Sequence, residues 1–214
     1  MQLVASPFAL AADLETIKTR GYLIVAVKDN LRPLGFRAAT GELQGFEIDI
    51  AKRLAKDLLG REDAVKFLPV QNTDRITVLT EDKADVTIAH LTATAARSRL
   101  VYFTYPYYFE GTALLTPGPV KTPEAMAGKS IAVLRGAVNA EVAAKRAIPN
   151  VKLVFVESYG AAAGKITQRS VAGFVGDVSP LVGWQQEMPG YGLLPARGDA
   201  GAHGDRMAEG GCSM

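Results

Sequence analysis

The stretch that decides the fold is Tyr22-Leu-Ile-Val-Ala-Val27, a continuous apolar run between Gly21 and the polar Lys28-Asp29-Asn30. Such a run is typical of a strand that is buried on both faces of a parallel sheet. In the next segment, from Phe46 to Leu59, apolar residues recur at every fourth position, acids lie in the first turn, bases come later, and Gly60 follows. That pattern predicts a helix. Strand and helix therefore alternate from the start of the chain, which favours an α/β fold.

The same alternation continues and then begins again. The pattern predicts strand 65–70, helix 74–81, strand 85–89, a helical turn at 95–100, an extended segment at 107–116, strand 130–134, helix 138–146, strand 151–156, helix 161–168 and strand 172–175. The order βαβαβ occurs twice, and residues 117–123 form a natural linker, so the sequence predicts two small α/β lobes. Two lobes imply a cleft between them, where small ligands usually bind.

The composition excludes several classes of function. Of the 214 residues 48% are apolar, and 24 basic and 22 acidic residues leave a formal net charge of +2. A dedicated nucleic-acid binder carries an excess of Lys and Arg, so we expect no nucleic-acid partner. The single cysteine, Cys212, and the two histidines, His90 and His203, lack the spacing of a zinc site. We therefore expect no metal and no cofactor.

The two ends of the chain differ from the rest. Residues 1–12 are apolar and end in Ala9-Leu10-Ala11, the small-x-small form that signal peptidase cleaves, although no base precedes Lys18. We interpret them as a residual signal-peptide-like segment, with a misplaced start codon or a buried helical turn as alternatives. After Leu194 no Ile, Leu, Val or aromatic residue occurs. Residues 195–214 therefore predict an irregular tail, as in a truncated or frame-shifted product.

A second informative stretch, Thr92-Ala-Thr94-Ala-Ala-Arg97, follows a predicted buried strand and opens a helical turn. Unpaired main-chain amides, threonine hydroxyls and a guanidinium can together bind a carboxylate. Taken alone, the stretch is better explained by a capped surface turn with a solvated arginine.

Several motifs in register resemble the family 3 extracellular solute-binding proteins, the amino-acid receptors of ABC importers. The resemblance lies in Leu23–Val27 with Asp29 and Pro33, Thr40–Ala51 with its Gly45-Phe46-Glu-Ile-Asp49, Asn72–Ile76 with Lys83-Ala-Asp85, Thr92–Tyr107, Gly128–Val133 with Gly136, and Val171–Asp177. It covers roughly residues 14–194. It implies a two-lobed, periplasmic-binding-protein-like fold of type II, with lobe 1 at 13–111, lobe 2 at 112–194 and the ligand cleft between them.

The resemblance also implies binding residues. Arg97 stands where the family's arginine holds the ligand α-carboxylate, and Thr92 adds amide and hydroxyl donors there. Asp177 stands where an acid accepts hydrogen bonds from the ligand α-ammonium. Gly136 and Ala137 stand at a helix start that presents amides to the carboxylate, although many relatives carry Ser or Thr in place of Ala137. No residue is expected to be catalytic.

Further cations suggest which side chain the ligand carries. Lys28 and Arg75 point by register toward the predicted cleft, and His90 follows a strand at the same edge. Two extra cations favour an acidic or amide side chain, so we expect glutamate, aspartate or glutamine. An equally good alternative places Lys28 and Arg75 at the rim, paired with Glu47 or Asp74.

These observations predict an exported, monomeric, non-enzymatic protein that captures a polar amino acid in the periplasm or another extracytoplasmic space and delivers it to the membrane subunits of an ABC permease. One alternative is an enzyme, because some chains that resemble this family are prephenate or arogenate dehydratases, and His90 or Glu110 could supply the acid. The sensory lobe of a receptor is another. The resemblance implies a segment that returns from lobe 2 to lobe 1, and the tail stands in its place. We therefore expect a first lobe that lacks part of its cover.

Overall fold

The computed structural model describes residues 13–187, 190–196 and 208–209, which belong to two compact units. Among the described residues, unit 1 contains 13–108 and Glu209, and unit 2 contains 109–187, 190–196 and Ala208. The predicted signal-peptide-like segment at 1–12 lies outside the described residues, as does most of the predicted tail at 195–214.

Unit 1 contains a parallel sheet and a small antiparallel sheet. Its elements are α1 (Leu14–Arg20), β1 (Leu23–Val27), β2 (Asn30–Leu31), β3 (Gly35–Arg37), β4 (Leu43–Gln44), α2 (Phe46–Leu59), β5 (Val65–Pro69), α3 (Thr77–Thr80), β6 (Val86–Ile88), a 3₁₀ turn (Arg97–Arg99) and the start of β7 (Tyr108–Phe109). The parallel sheet has the order β5-β1-β6, and the antiparallel one has the order β2-β3-β4.

The central strand β1 is buried as its apolar sequence predicts. Leu23, Val25 and Val27 have no exposed surface and pack with Ile48 and Ala51 of α2. Burying side chains of this size contributes about 1.5–3 kcal/mol each. The burial of β1 against α2 therefore makes the edge where β1 ends a rigid place for functional side chains.

Gly45 determines where α2 begins. Its φ of +122° favours glycine, and a Cβ at this position would lie 2.3 Å from the carbonyl oxygen of Leu34. This close approach lets the N–H groups of Phe46 and Glu47 donate to the carbonyl oxygens of Pro33 and Leu34, at 3.2 and 2.9 Å. The first amides of the helix are thereby satisfied by the chain before β3.

The carboxylate of Asp85 connects three parts of unit 1. Asp85 precedes β6 and is 5% exposed, and it accepts hydrogen bonds from the guanidinium of Arg20, at the end of α1, and from the N–H of Ile24, at 2.7 Å. A buried acid that both neutralises a cation and satisfies a main-chain amide is costly to remove, because both donors then lose their acceptor.

Asp85→Ala should therefore lower the free energy of unfolding by about 3 kcal/mol. Asp57→Ala is the matched control, since its ion pair with Arg53 is exposed on both sides, and it should cost less than about 1 kcal/mol. Urea denaturation measures both changes. Equal and small losses would show that the Asp85 contacts do not stabilise unit 1.

Unit 2 has one mixed sheet. Its elements are the end of β7, β8 (Thr112–Pro117), a 3₁₀ turn (Pro123–Met126), β9 (Ser130–Leu134), α4 (Val138–Ala147), β10 (Lys152–Val156), α5 (Tyr159–Thr167), β11 (Gly173–Asp177), α6 (Val178–Glu187) and β12 (Tyr191–Pro195). The order is β10-β9-β11-β8-β12, in which β9, β10 and β11 are parallel and β8 is antiparallel to both of its neighbours. A further short strand, β13 (Ala208–Glu209), pairs with β7.

The sequence predicted the principal helices and strands but missed others. The predicted helix at 46–59 coincides with α2, whereas the helix predicted at 74–81 is only the single turn α3. The pattern gave no sign of α1, of the β2-β3-β4 sheet or of α6. In α6, Pro180 lies in the first turn, where its missing N–H removes no helical hydrogen bond, and Gly183 lowers the helix propensity of the segment.

Within the residues described above, no helix combines the length and the apolar character required to cross a membrane.

Candidate functional site

The carboxyl ends of β1 and β6 lie side by side in unit 1. Val27 at the end of β1 pairs in register with Ile88 at the end of β6. The chain passes from β1 to β5 on one side of the sheet and later to β6 on the other, so this edge is a topological switch point, where open α/β sheets bind ligands. Lys28 directly follows β1, and His90 and Thr92 follow β6.

Lys28 is a buried cation at this edge. It is 4% exposed, and its Nζ donates to the carbonyl oxygen of Val70 at 3.0 Å. The pKa of Lys28 is lowered from its usual 10.5 to about 8, first by burial and then by the positive charge of Arg75, against the opposing effect of nearby carboxylates that include Glu47. The ammonium is thus charged at neutral pH, and it loses its proton more readily than an ordinary lysine.

Arg75 is also buried, at 4% exposure, and its guanidinium holds the main chain after β6. It donates to the carbonyl oxygens of Asn72 at 3.0 Å, Ala89 at 3.1 Å and His90 at 2.5 Å. The rim position of the alternative for Lys28 and Arg75 is therefore wrong, because both side chains are buried in unit 1. Arg75 shapes the candidate site through these main-chain contacts.

His90 adopts a backbone conformation that is unusual for a residue with a side chain. Its φ is +51°, it is 7% exposed, and its N–H donates to Oε1 of Glu47 at 2.6 Å. Its ring lies 6.4 Å from the ring of Tyr108, measured between centroids. His90 therefore contributes both a fixed main-chain turn and its imidazole side chain to this edge of the sheet.

Glu47 is the residue at this edge whose role the sequence analysis missed. It has no exposed surface, and its Oε1 accepts hydrogen bonds from the His90 N–H and the Tyr107 hydroxyl, both at 2.6 Å. Ala51 and Ala55, four and eight positions later, are also fully buried. That helical spacing places Glu47 on the inward face of α2, and it was the signal that could have identified a buried acid.

Thr92 and Arg97 are held together in one local structure. A terminal nitrogen of the Arg97 guanidinium donates to the carbonyl oxygen of Thr92 at 2.9 Å, and the Arg97 N–H donates to Oγ1 of Thr94 at 3.3 Å. Thr92 is buried and Arg97 half-buried at the start of the 3₁₀ turn. Unit 1 thus brings Lys28, Arg75, His90, Thr92 and Arg97 to the segments that follow β1 and β6.

The other predicted residues belong to unit 2 and lie at the corresponding edge of its sheet. Asp177, 9% exposed, is the last residue of β11, and Gly136 and Ala137 follow the adjacent parallel strand β9. Gly136 has a φ of +77°, and Ala137 precedes α4 without a side-chain oxygen to cap it. Their position at a second switch point is again one where α/β sheets bind ligands.

Glu110, considered above as an enzymatic acid, lies near Asp177 in the structure of unit 2. Its Oε1 accepts a hydrogen bond from the N–H of Ser179, in the first turn of α6. Glu110 thus satisfies an amide at the start of the helix that directly follows Asp177. The described residues contain no cluster of three or more His, Cys, Asp or Glu side chains arranged to hold a metal ion.

Comparison with known proteins gives the family. Residues 23–157 match the bacterial extracellular solute-binding proteins, family 3. The chain belongs to this family. It is 32% identical to a glutamine-binding protein of Geobacillus stearothermophilus over 185 residues, which are 85% of this chain and 70% of that protein. The resemblance predicted from the sequence motifs is confirmed.

Solved structures support the fold. The chain superimposes with a TM-score of 0.82 and 26% identity on a solute receptor for L-cysteine of Neisseria gonorrhoeae, over 94% of this chain and 80% of that one. The predicted two-lobed α/β fold is thereby confirmed. A more distant relative is an enzyme, the cyclohexadienyl dehydratase of Pseudomonas aeruginosa, which is 28% identical over 52% of this chain and 41% of that protein.

The burial of Lys28 predicts a pH-dependent contribution to stability. Between pH 8 and pH 10 the unfolded chain keeps this proton and the folded chain loses it, so unfolding binds a proton and the free energy of unfolding rises with pH. The free energy of unfolding of wild type minus that of Lys28→Met should increase by up to about 1.4 kcal/mol per pH unit in this window. Urea titrations at several pH values measure it.

Lys83→Met is the control, because Lys83 is exposed and its pKa is raised by its hydrogen bond to Glu81. This variant should keep the wild-type dependence on pH. A Lys28→Met profile parallel to wild type would contradict the depressed pKa of Lys28.

Proposed function

We propose that this protein binds a polar amino acid outside the cytoplasm, as a monomer, and delivers it to the membrane subunits of an ABC importer. Membership of the extracellular solute-binding family supports the extracytoplasmic location and the transport role. The glutamine-binding relative supports an amino acid as the ligand and favours glutamine over the glutamate and aspartate considered with it.

The observation that carries the proposal is that unit 1 places cationic side chains, and unit 2 an acidic side chain, at the carboxyl edge of its parallel strands. In unit 1, Lys28 directly follows β1 and Arg97 begins the 3₁₀ turn that comes after β6, and in unit 2 the carboxylate of Asp177 lies at the end of β11. A free amino acid is a zwitterion, so it requires a cation for its carboxylate and an acid for its ammonium.

Each ligand group has a proposed partner. Arg97, whose guanidinium is oriented by the Thr92 carbonyl, binds the α-carboxylate, and Thr92 and the amides near Gly136 and Ala137 add donors. Asp177 accepts hydrogen bonds from the α-ammonium. Lys28 donates to the side-chain oxygen, which selects an amide or carboxylate ligand because an apolar side chain would leave a buried ammonium poorly satisfied.

Arg97→Ala should abolish useful binding, because the ligand carboxylate would be desolvated without a cation. Wild type should bind glutamine with a dissociation constant on the order of 1 μM, about −8 kcal/mol, and the variant should lose about 3–5 kcal/mol. Isothermal titration calorimetry measures both constants.

Arg99→Ala is the matched control, because Arg99 is an exposed arginine in the same 3₁₀ turn, and it should leave the affinity unchanged. Lysine and leucine serve as control ligands for the side chain. Near-normal affinity in Arg97→Ala, or tighter binding of lysine or leucine than of glutamine, would contradict the proposed roles of Arg97 and Lys28.

A dehydratase is the second candidate, favoured by the resemblance to cyclohexadienyl dehydratase. Such an enzyme needs an acid that can protonate a leaving hydroxyl. Glu110 and His90, the two candidates for this acid, each make main-chain contacts that fix a turn or a helix start. Formation of phenylpyruvate from prephenate, followed by absorbance, would decide for the enzyme, and its absence alongside amino-acid binding would decide for the receptor.

A further inference from the structure

The carboxylate of Glu47 connects three segments of unit 1 through a single oxygen. Oε1 accepts hydrogen bonds from the His90 N–H, in the segment that leads to Thr92, and from the hydroxyl of Tyr107, at the end of unit 1. The other oxygen, Oε2, is buried and has no hydrogen-bond partner among the described residues. A fully buried carboxylate in this state is costly, so the contacts that it does make require an explanation.

The main chain around His90 is held from two sides by opposite charges. Glu47 accepts from the N–H, and the guanidinium of Arg75 donates to the carbonyl oxygen of the same residue at 2.5 Å. The φ of +51° at His90 is unfavourable for a residue that carries a side chain. Two charge-assisted hydrogen bonds offset this cost and select this one turn.

The turn at His90 determines where the ligand-binding groups begin. Thr92 lies two residues later, and its carbonyl oxygen accepts the hydrogen bond that orients Arg97. Glu47 itself is rigidly placed, because its N–H donates to the Leu34 carbonyl oxygen at 2.9 Å. The carboxylate of Glu47 also lies close enough to the Lys28 ammonium to raise the pKa of Lys28.

We propose that Glu47 is a positioning residue of the amino-acid site: its Oε1 holds the 89–92 segment and Tyr107 against α2, and thereby sets the geometry with which Thr92 and Arg97 bind the ligand carboxylate. Glu47 does not contact the ligand in this mechanism. The inference about affinity rests on the proposed function, whereas the inference about the 89–92 segment can be tested without any ligand.

Three variants separate the contributions of Glu47. Glu47→Gln keeps an acceptor at the position of Oε1 and removes the charge, Glu47→Leu removes the acceptor at similar size, and Tyr107→Phe removes one donor and leaves the carboxylate intact. Tyr105→Phe is the control for the last, since Tyr105 is 95% exposed.

The expected dissociation constants for glutamine follow from the hydrogen bonds that remain. Tyr107→Phe should weaken binding by about five-fold, the effect of one typical hydrogen bond, and Tyr105→Phe should not change it. Glu47→Gln should lose about ten-fold and Glu47→Leu more than about a hundred-fold, because only Gln retains an acceptor. Titrations are performed under conditions in which circular dichroism shows each variant folded.

Hydrogen exchange supplies the readout that a purely stabilising role would not change. Under native conditions the His90 amide should exchange at least about ten-fold faster in Glu47→Gln than in wild type, because the charge-assisted acceptor is lost. The exchange of the Val25 amide in β1 reports global stability. Unchanged exchange at His90 relative to Val25 in Glu47→Gln would overturn the proposal, whether or not Glu47→Leu folds.

The ligand and exchange measurements distinguish two failures. If wild type binds no amino acid while the His90 amide responds as expected, the proposed function is wrong and the positioning of the 89–92 segment stands. If wild type binds glutamine and both Glu47→Gln and Tyr107→Phe bind it equally well, Glu47 has no positioning role.

Discussion

The structure of unit 1 depends on the way in which two buried side chains of opposite charge hold one turn of the chain. Glu47, on α2, accepts from the His90 N–H, and Arg75 donates to the His90 carbonyl oxygen. Strand β6 is short, and the chain must leave the sheet immediately after it. A turn that is fixed from both sides can carry Thr92 and Arg97 in one orientation, which a flexible loop could not do.

Burying charge at this edge is costly, and opposite charges and main-chain hydrogen bonds offset part of that cost. Strand β1 and helix α2 bury their apolar faces together, and the carboxylate of Glu47 compensates part of the charge of Lys28. Desolvation nevertheless depresses the pKa of Lys28 to about 8. An oxygen-bearing ligand side chain would provide the acceptors that this ammonium obtains only in part from the Val70 carbonyl.

The sequence predicted those features that depend on local patterns. The apolar run of β1 and the periodicity of α2 identified a parallel α/β unit, and several motifs in register, among them the one that ends in Arg97, identified the family. The buried position of Arg75 could not be predicted, because its acceptors at Ala89 and His90 lie 14 and 15 residues away and are main-chain atoms with no sequence signature.

Glu47 shows how a local rule can mislead. An acid in the first turn of a helix is usually explained by the helix dipole and by solvent exposure. Here the spacing to the buried Ala51 and Ala55 turns the side chain inward, where it binds the His90 amide. In unit 2, α6 was missed because its proline and glycine weaken the helical pattern, whereas the family motif predicts a binding role for the adjacent Asp177.

The central claim is that each end of a free amino acid has its own charged partner. The most direct test is to titrate wild type with L-glutamine and with two end-blocked analogues, L-glutaminamide and N-acetyl-L-glutamine. The first analogue lacks the α-carboxylate that Arg97 would bind, and the second lacks the α-ammonium that Asp177 would accept. Glutamine should bind, and each analogue should lose at least about a hundred-fold in affinity. Equally tight binding of either analogue would contradict the assignment of the corresponding residue, and no binding of glutamine or of any other free amino acid would contradict the receptor function itself.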